Sequence, residues 1–255
     1  MPNLDSPTYI AGFAAAVCVG CSIFVSSAAV SLKQQQKDNA KLDLQKNVIS
    51  VSGLDEDGIV TPEDVETYFN PEAESRVEGI YIDLSTGETV EAEKAKTELK
   101  ENKSSCAPPA ENPAKIRCLP KYKQIYKVTK NGQLDRLILE VEGKGLWSTM
   151  YGFLAMDKDG KTIQGLTFYK HGETPGLGGE IDNVKWKASW KGKTAYDPEG
   201  VAQMVVKKGL AKQGSPNEID GLSGATLTSV GVEYLINFWL GDQGYGTYLN
   251  QYNKG

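Results

Sequence analysis

Residues Tyr122 to Thr129 (YKQIYKVT) and Leu134 to Glu142 (LDRLILEVE) stand on either side of Asn131-Gly132. That dipeptide best tolerates the positive φ angles of a tight hairpin turn. Directly downstream, Tyr151 to Met156 and Thr162 to Tyr169 flank Asp157-Lys158-Asp159-Gly160, a second turn sequence. Two adjacent hairpins predict a mainly antiparallel sheet. After the sheet, Ser229 to Leu240 places Val232, Leu235, Ile236 and Trp239 on one side and meets Gly241, so a final helix is expected there. The fold class is α+β, a mainly antiparallel sheet domain with flanking helices.

At the other end of the chain no charged residue lies between Asp5 and Lys33. A membrane-spanning helix needs roughly 20 mostly apolar residues, and residues 9–32 meet that requirement. Their Gly, Ala and Ser content suits close packing on other helices. A cleaved signal peptide is the alternative, with Ser27-Ala28-Ala29 as a small-residue cleavage site. The absence of Lys or Arg before the apolar stretch, and its length, favour a single retained span. Residues 33–60 are expected to form a polar juxtamembrane helix and linker, and 61–255 the folded domain. Thr61-Pro62-Glu63-Asp64 supplies an N-cap, a proline at the first helical position and acidic residues in the first turn, so a short helix to about Phe69 should follow. Residues 88–119, rich in Glu, Lys, Ser and Pro, are expected to be an insertion at the surface.

Composition narrows the chemistry. The 255 residues include one histidine and four cysteines, too few for a histidine-rich catalytic zinc site. A Ser-His-Asp hydrolase would have to depend on His171 alone. The net charge of −5 gives no electrostatic reason to expect a nucleic-acid partner. Cys106 and Cys118 bracket a proline-rich stretch and read as a disulfide, which needs an oxidising compartment. Cys18 and Cys21 share one face of the apolar helix, either as buried small residues at a helix interface or as a redox or metal pair. Lys33, Lys37 and Lys41 after the span would favour a cytoplasmic C-terminal side, whereas the cysteine pair favours export.

Familiar nucleotide motifs fail on inspection. Gly192-Lys193-Thr194 imitates the end of a P-loop, but the leading glycine position holds Lys187. The pairs Gly143/Gly145 and Gly176/Gly178 lack the third glycine of a dinucleotide fingerprint, where Ser148 and Ile181 stand. Two other segments carry a stronger signal. His171 to Glu180 (HGETPGLGGE) has glycines that let backbone approach a flat ligand, with Leu177 as an apolar face and Glu173 and Thr174 as polar edges; a plain Gly-Pro turn is the alternative. Asp220 to Ser229 (DGLSGATLTS) leads into the last helix. Its hydroxyls are more numerous than capping needs, and a helix N-terminus there would hold a phosphate.

At these residues the chain resembles the covalent-FMN domain family, whose Ser-Gly-Ala-Thr run ends in the threonine esterified by the flavin phosphate. The resemblance implies FMN attached through a phosphoester to Thr226, with Ser223, Gly224, Ala225 and Thr228 around the phosphate. Glu173, Thr174, Gly176, Leu177 and Gly178 match the family's other signature, and the segment from Gly143 to Trp147 is similar to the one lining its flavin site. One span, a juxtamembrane helix and a C-terminal flavin domain are together similar to the flavin-carrying C subunits of Na+-translocating NADH:quinone reductases. That likeness implies an electron carrier in a six-subunit complex of the bacterial inner membrane. Its domain would be periplasmic, where a flavin transferase acts. The related flavin-carrying G subunits of ion-translocating ferredoxin:NAD reductases, and a flavin-free scaffold module, are the alternatives. No metal site and no catalytic residue of the chain's own are expected.

Overall fold

The computed structural model describes residues 6–55, 59–101 and 106–252. The chain divides into two compact units, one ending at Leu44 and one starting at Gln45. The helix α1 (Pro7–Ser52), 46 residues long and apolar enough to cross a membrane, makes up the described part of the first as far as Leu44, and its last turns belong to the second. The expected juxtamembrane helix is the continuation of this same helix. At its end Val48, Ile49, Val51 and Ser52 are buried.

The second unit is built on a six-stranded antiparallel sheet. Its strands are β1 (Arg76–Asp83), β2 (Thr89–Val90), β3 (Tyr122–Lys130), β4 (Gln133–Lys144), β5 (Thr149–Asp157) and β6 (Ile163–Lys170), in the order β2-β1-β3-β4-β5-β6. Both predicted hairpins are present as β3–β4 and β5–β6. Asn131 and Gly132 take φ of 52° and 74°, the left-handed conformation that a two-residue hairpin turn requires. β1 went unread in the sequence because Gly79 and its charged neighbours blur the alternation. It nonetheless pairs with β3 over its whole length, from Arg76↔Thr129 to Asp83↔Tyr122.

Alternation along β4 and β5 gives each face its own core. Leu137, Leu139 and Val141 with Met150, Leu154 and Met156 pack beneath α5 (Thr226–Leu240), which contributes Val232, Leu235, Ile236 and Trp239. On the opposite face Gly165 approaches Val51, so the end of α1 covers this side of the sheet. Phe153 there lies between the rings of Tyr126 and Tyr169. Thr61 caps α2 (Pro62–Tyr68): its hydroxyl accepts from the Asp64 amide, and the Asp64 carboxylate accepts from the Thr61 amide.

The stretch 88–119 is not merely a surface excursion. It holds α3 (Ala92–Glu101), with Ala95 fully buried, and Ala114 and Ile116 belong to the main core. Charged α3 and the prolines hide this pattern, because only one residue of that helix is buried. The Ala114 carbonyl accepts the Lys144 amide at 2.8 Å, extending the edge of β4. β3 stops pairing with β4 beyond Leu139, and two side chains take over: Trp239 Nε1 donates to the Glu142 carbonyl (2.8 Å) and the Tyr245 hydroxyl to the Glu140 carbonyl (2.6 Å).

Cys106 and Cys118 form a disulfide that closes this segment. A crosslink across a separation of 12 residues restricts the unfolded chain by on the order of 3 kcal/mol. Replacing both cysteines with serine should lower the stability measured by urea unfolding by about that amount. The same loss should follow reduction of the wild type, and no loss in either case would mean that the segment is held by packing alone.

Candidate functional site

Three segments far apart in sequence meet where β4 ends and α5 begins. Gly143 and Gly231 make the approach possible. A Cβ on Gly143 would lie 2.9 Å from the Leu235 side chain, and one on Gly231 would lie 2.5 Å from the Lys144 carbonyl oxygen. The N-terminal half of α5 is thereby pressed against the end of β4 and the start of the connection that joins it to β5.

That connection, Gly145 to Ser148, is closed by the Gly145 amide donating to the Ser148 carbonyl (2.8 Å). Its amides from Leu146, Trp147 and Ser148 all point at the Glu173 carboxylate, at 3.2, 2.9 and 3.2 Å. Oε1 takes the Trp147 and Ser148 amides, while Oε2 takes that of Leu146 together with the Thr228 hydroxyl at 2.6 Å. Glu173 is only 5% exposed and Thr228 is fully buried. Burial alone would push the Glu173 carboxyl up, but the Thr228 hydroxyl and the three amides outweigh it and hold the pKa below the ordinary glutamate value.

This geometry shows where two of the expected site residues turn their polar groups. Glu173 is not an open polar edge, since both of its oxygens are engaged by donors of the chain. Thr228 turns its hydroxyl to Glu173 and not to the surface beside Thr226. Gly178 is buried in the same knot, because a Cβ there would sit 2.6 Å from the Thr228 hydroxyl and 2.9 Å from Glu173. His171 steadies the strand of backbone from which Glu173 extends: its Nδ1 accepts the Glu173 amide (3.2 Å), and its Nε2 faces Asp182 at 2.8 Å.

Above the knot lies an exposed surface. α5 begins at Thr226, three residues earlier than the sequence pattern indicated, with Ala225 at the N-cap and no side chain capping it. The first bond of the helix ladder runs from the Ser229 amide to the Ala225 carbonyl, so the amides of Thr226, Leu227 and Thr228 stand outside it. The Ser229 hydroxyl accepts the Leu222 amide at 3.0 Å and closes the loop beneath. Ser223, Gly224 and Thr226 are exposed, while Ala225 is buried. Gly224 has φ of +70°, and Leu177 Cδ2 lies 3.0 Å from where its Cβ would be. Thr174 is exposed and its carbonyl accepts the Leu177 and Gly179 amides, turning the loop through exposed Gly176 at φ +75°.

Trp147 is 66% exposed, Leu227 62%, Leu177 45% and Leu146 42%, an apolar display on the same three segments. The sequence reading did not single out Ser148 or Leu227. Leu227 carried a signal, an apolar residue in a helix first turn that ordinarily holds polar ones.

A helix start with free amides, an accessible hydroxyl and exposed apolar side chains, Trp147 among them, mark this end of the domain as a surface suited to a phosphate-bearing ligand with an apolar body. The family model described as FMN-binding domain matches residues 145–241. The C subunit of a Na(+)-translocating NADH-quinone reductase from Pseudomonas aeruginosa is 43% identical over 100% of this chain and 99% of its own length. Its counterpart from Vibrio alginolyticus is 39% identical over 99% and 98%. Among solved structures, that of Shewanella oneidensis NqrC superposes with a TM-score of 0.74 at 31% identity, covering 85% of this chain and all of that one. The chain belongs to the family of Na(+)-translocating NADH-quinone reductase C subunits.

The Glu173 carboxylate makes the site sensitive to acid. A carboxyl whose folded pKa is depressed contributes stability that is fully present above its unfolded pKa and lost as pH falls through the folded value. Wild-type protein should therefore lose more melting temperature than E173Q between about pH 5 and pH 3. Parallel curves for the two proteins would contradict the ionised, hydrogen-bonded state of Glu173.

Proposed function

We propose that this chain is the flavin-carrying electron-transfer component of a membrane NADH:quinone reductase, with FMN joined by a phosphoester to Thr226. The observation that carries the reading is the placement of Thr226. Its side chain is exposed at the first residue of α5, beside three amides that the helix does not use. Unused amides and the positive end of the helix dipole suit a phosphate diester.

The residues present fit the group. Gly224 and Gly176 keep the backbone open at positive φ, and Leu177, Leu227, Leu146 and Trp147 offer apolar contact for a ring system. Ser223 and Gly224 flank the phosphate position. Bound FMN would supply the electron-transfer chemistry that a chain with one histidine and no metal cluster among its described residues does not provide. The chain's own part is to hold, orient and shield. Esterification would form a bond from the Thr226 hydroxyl oxygen to the flavin phosphorus and break the phosphoanhydride bond of an activated flavin diphosphate presented by a flavin transferase, the leaving phosphate half departing with the hydroxyl proton, and the covalent link keeps the cofactor from diffusing away.

The domain is placed in the periplasm and α1 in the inner membrane. The disulfide supports export, against the lysines that follow the apolar stretch. NADH oxidation and quinone reduction are assigned to the other members of the six-subunit assembly. The relatives that match nearly the whole chain favour this reading over the flavin-carrying component of a ferredoxin:NAD reductase.

Thr226→Ala should yield folded protein without flavin, seen as loss of in-gel fluorescence and of the added mass on the peptide containing residue 226. Thr226→Ser keeps the hydroxyl and should retain part of the label. Acid-stable flavin on the alanine variant would refute the assignment. Protease added outside intact spheroplasts should cleave the domain and leave α1 protected; full protection of the domain would place it in the cytoplasm instead.

A further inference from the structure

We propose that Glu173, acting with Thr228, is a positioning residue that sets the attitude of the flavin by locking the attachment turn of α5 to the Leu146–Ser148 turn. The inference rests on the flavin reading above. Thr228 is two residues beyond Thr226, in the same first turn, and its hydroxyl is held by Glu173. The same carboxylate takes the amides of Leu146, Trp147 and Ser148, the turn that displays two of the exposed apolar side chains. One carboxylate therefore fixes the residue that would carry the phosphate relative to the indole that would meet the ring.

This arrangement exceeds what the fold requires. The β4–β5 connection is already closed by the Gly145 amide and the Ser148 carbonyl, and α5 is already anchored by Trp239 and by its packing on β4. A buried carboxylate is costly unless donors satisfy it, and here every donor comes from one of the two turns that face the exposed surface. Gly145 and Gly178 reserve the space, since a Cβ at either would lie 2.6 Å from Glu173 Oε1 or the Thr228 hydroxyl. His171 holds the Glu173 backbone from behind, and Asp182 holds His171.

The test uses the full-length protein produced together with its flavin transferase, as wild type, Glu173→Gln and Thr228→Val. Both variants should still carry flavin mass on the Thr226 peptide. Their flavin fluorescence anisotropy should fall, and iodide quenching should rise several-fold over wild type. In a flavin-free Thr226→Ala background, amide exchange at Leu146, Trp147 and Ser148 should accelerate about tenfold when Glu173 is also changed to Gln, the effect of weakening one or two hydrogen bonds. Thr228→Val removes a single bond and is the milder variant should Glu173→Gln fold poorly. Wild-type anisotropy and quenching in the two flavin-loaded variants would overturn the proposal, whatever happens to their melting temperatures. Absence of flavin on the wild-type Thr226 peptide is a different result, which would overturn the flavin reading and this proposal with it.

Discussion

Four hydrogen bonds converge on the Glu173 carboxylate and tie together the three segments that build the exposed surface. The donors lie 25 to 27 residues before Glu173 and 55 after it. An ionised carboxylate buried this deeply is tolerated because it accepts donors from each side, which turns a desolvation cost into a specification of geometry. Glycines at 145 and 178 are the sequence's side of the same constraint. The exposed threonine, the open amides of the helix start and the apolar display are all set on top of this buried junction.

The sheet was legible in the sequence where local physics decides it. Asn131-Gly132 fixes a turn by backbone conformation alone, and the strands on either side follow. β1 was not legible, because its identity comes from pairing with β3, whose residues lie 39 to 53 positions further on, and from no strong alternation of its own. The burial of Ala114 and Ile116 was hidden for a similar reason: small and lone apolar residues among prolines look like a loop until β4 is found to need an edge. The helix start at Thr226 was misplaced because the hydroxyls suggested capping, whereas the structure leaves the helix uncapped and uses Ser229 to close the loop beneath it.

The candidate site divides in the same way. The exposure of Thr226 could be anticipated from residue types, since a hydroxyl beside small neighbours ahead of a helix is a local feature. Glu173 and Thr228 were singled out in the sequence, but the hydrogen bond between them was not. Sequence spacing cannot say whether a polar side chain points at a ligand or at another segment of the same chain. The scarcity of histidine and cysteine, first a means of excluding metal and hydrolase chemistry, fits a domain whose own side chains shape a surface and leave the redox chemistry to a borrowed group.

The edge of β4 beyond Leu139 carries a consequence for how the domain comes into being. Its carbonyls are completed by Trp239 and Tyr245, 97 and 105 residues later in the chain, whereas the two hairpins close on neighbours. Contacts of such long separation form late, after local structure is in place. A ribosome that has delivered the sheet has therefore not yet delivered the helix that finishes its edge, and Thr226 is carried on that same helix. The surface around Thr226 is assembled only once α5 has been synthesised, so a nascent molecule that stops short of that helix has no such surface to present.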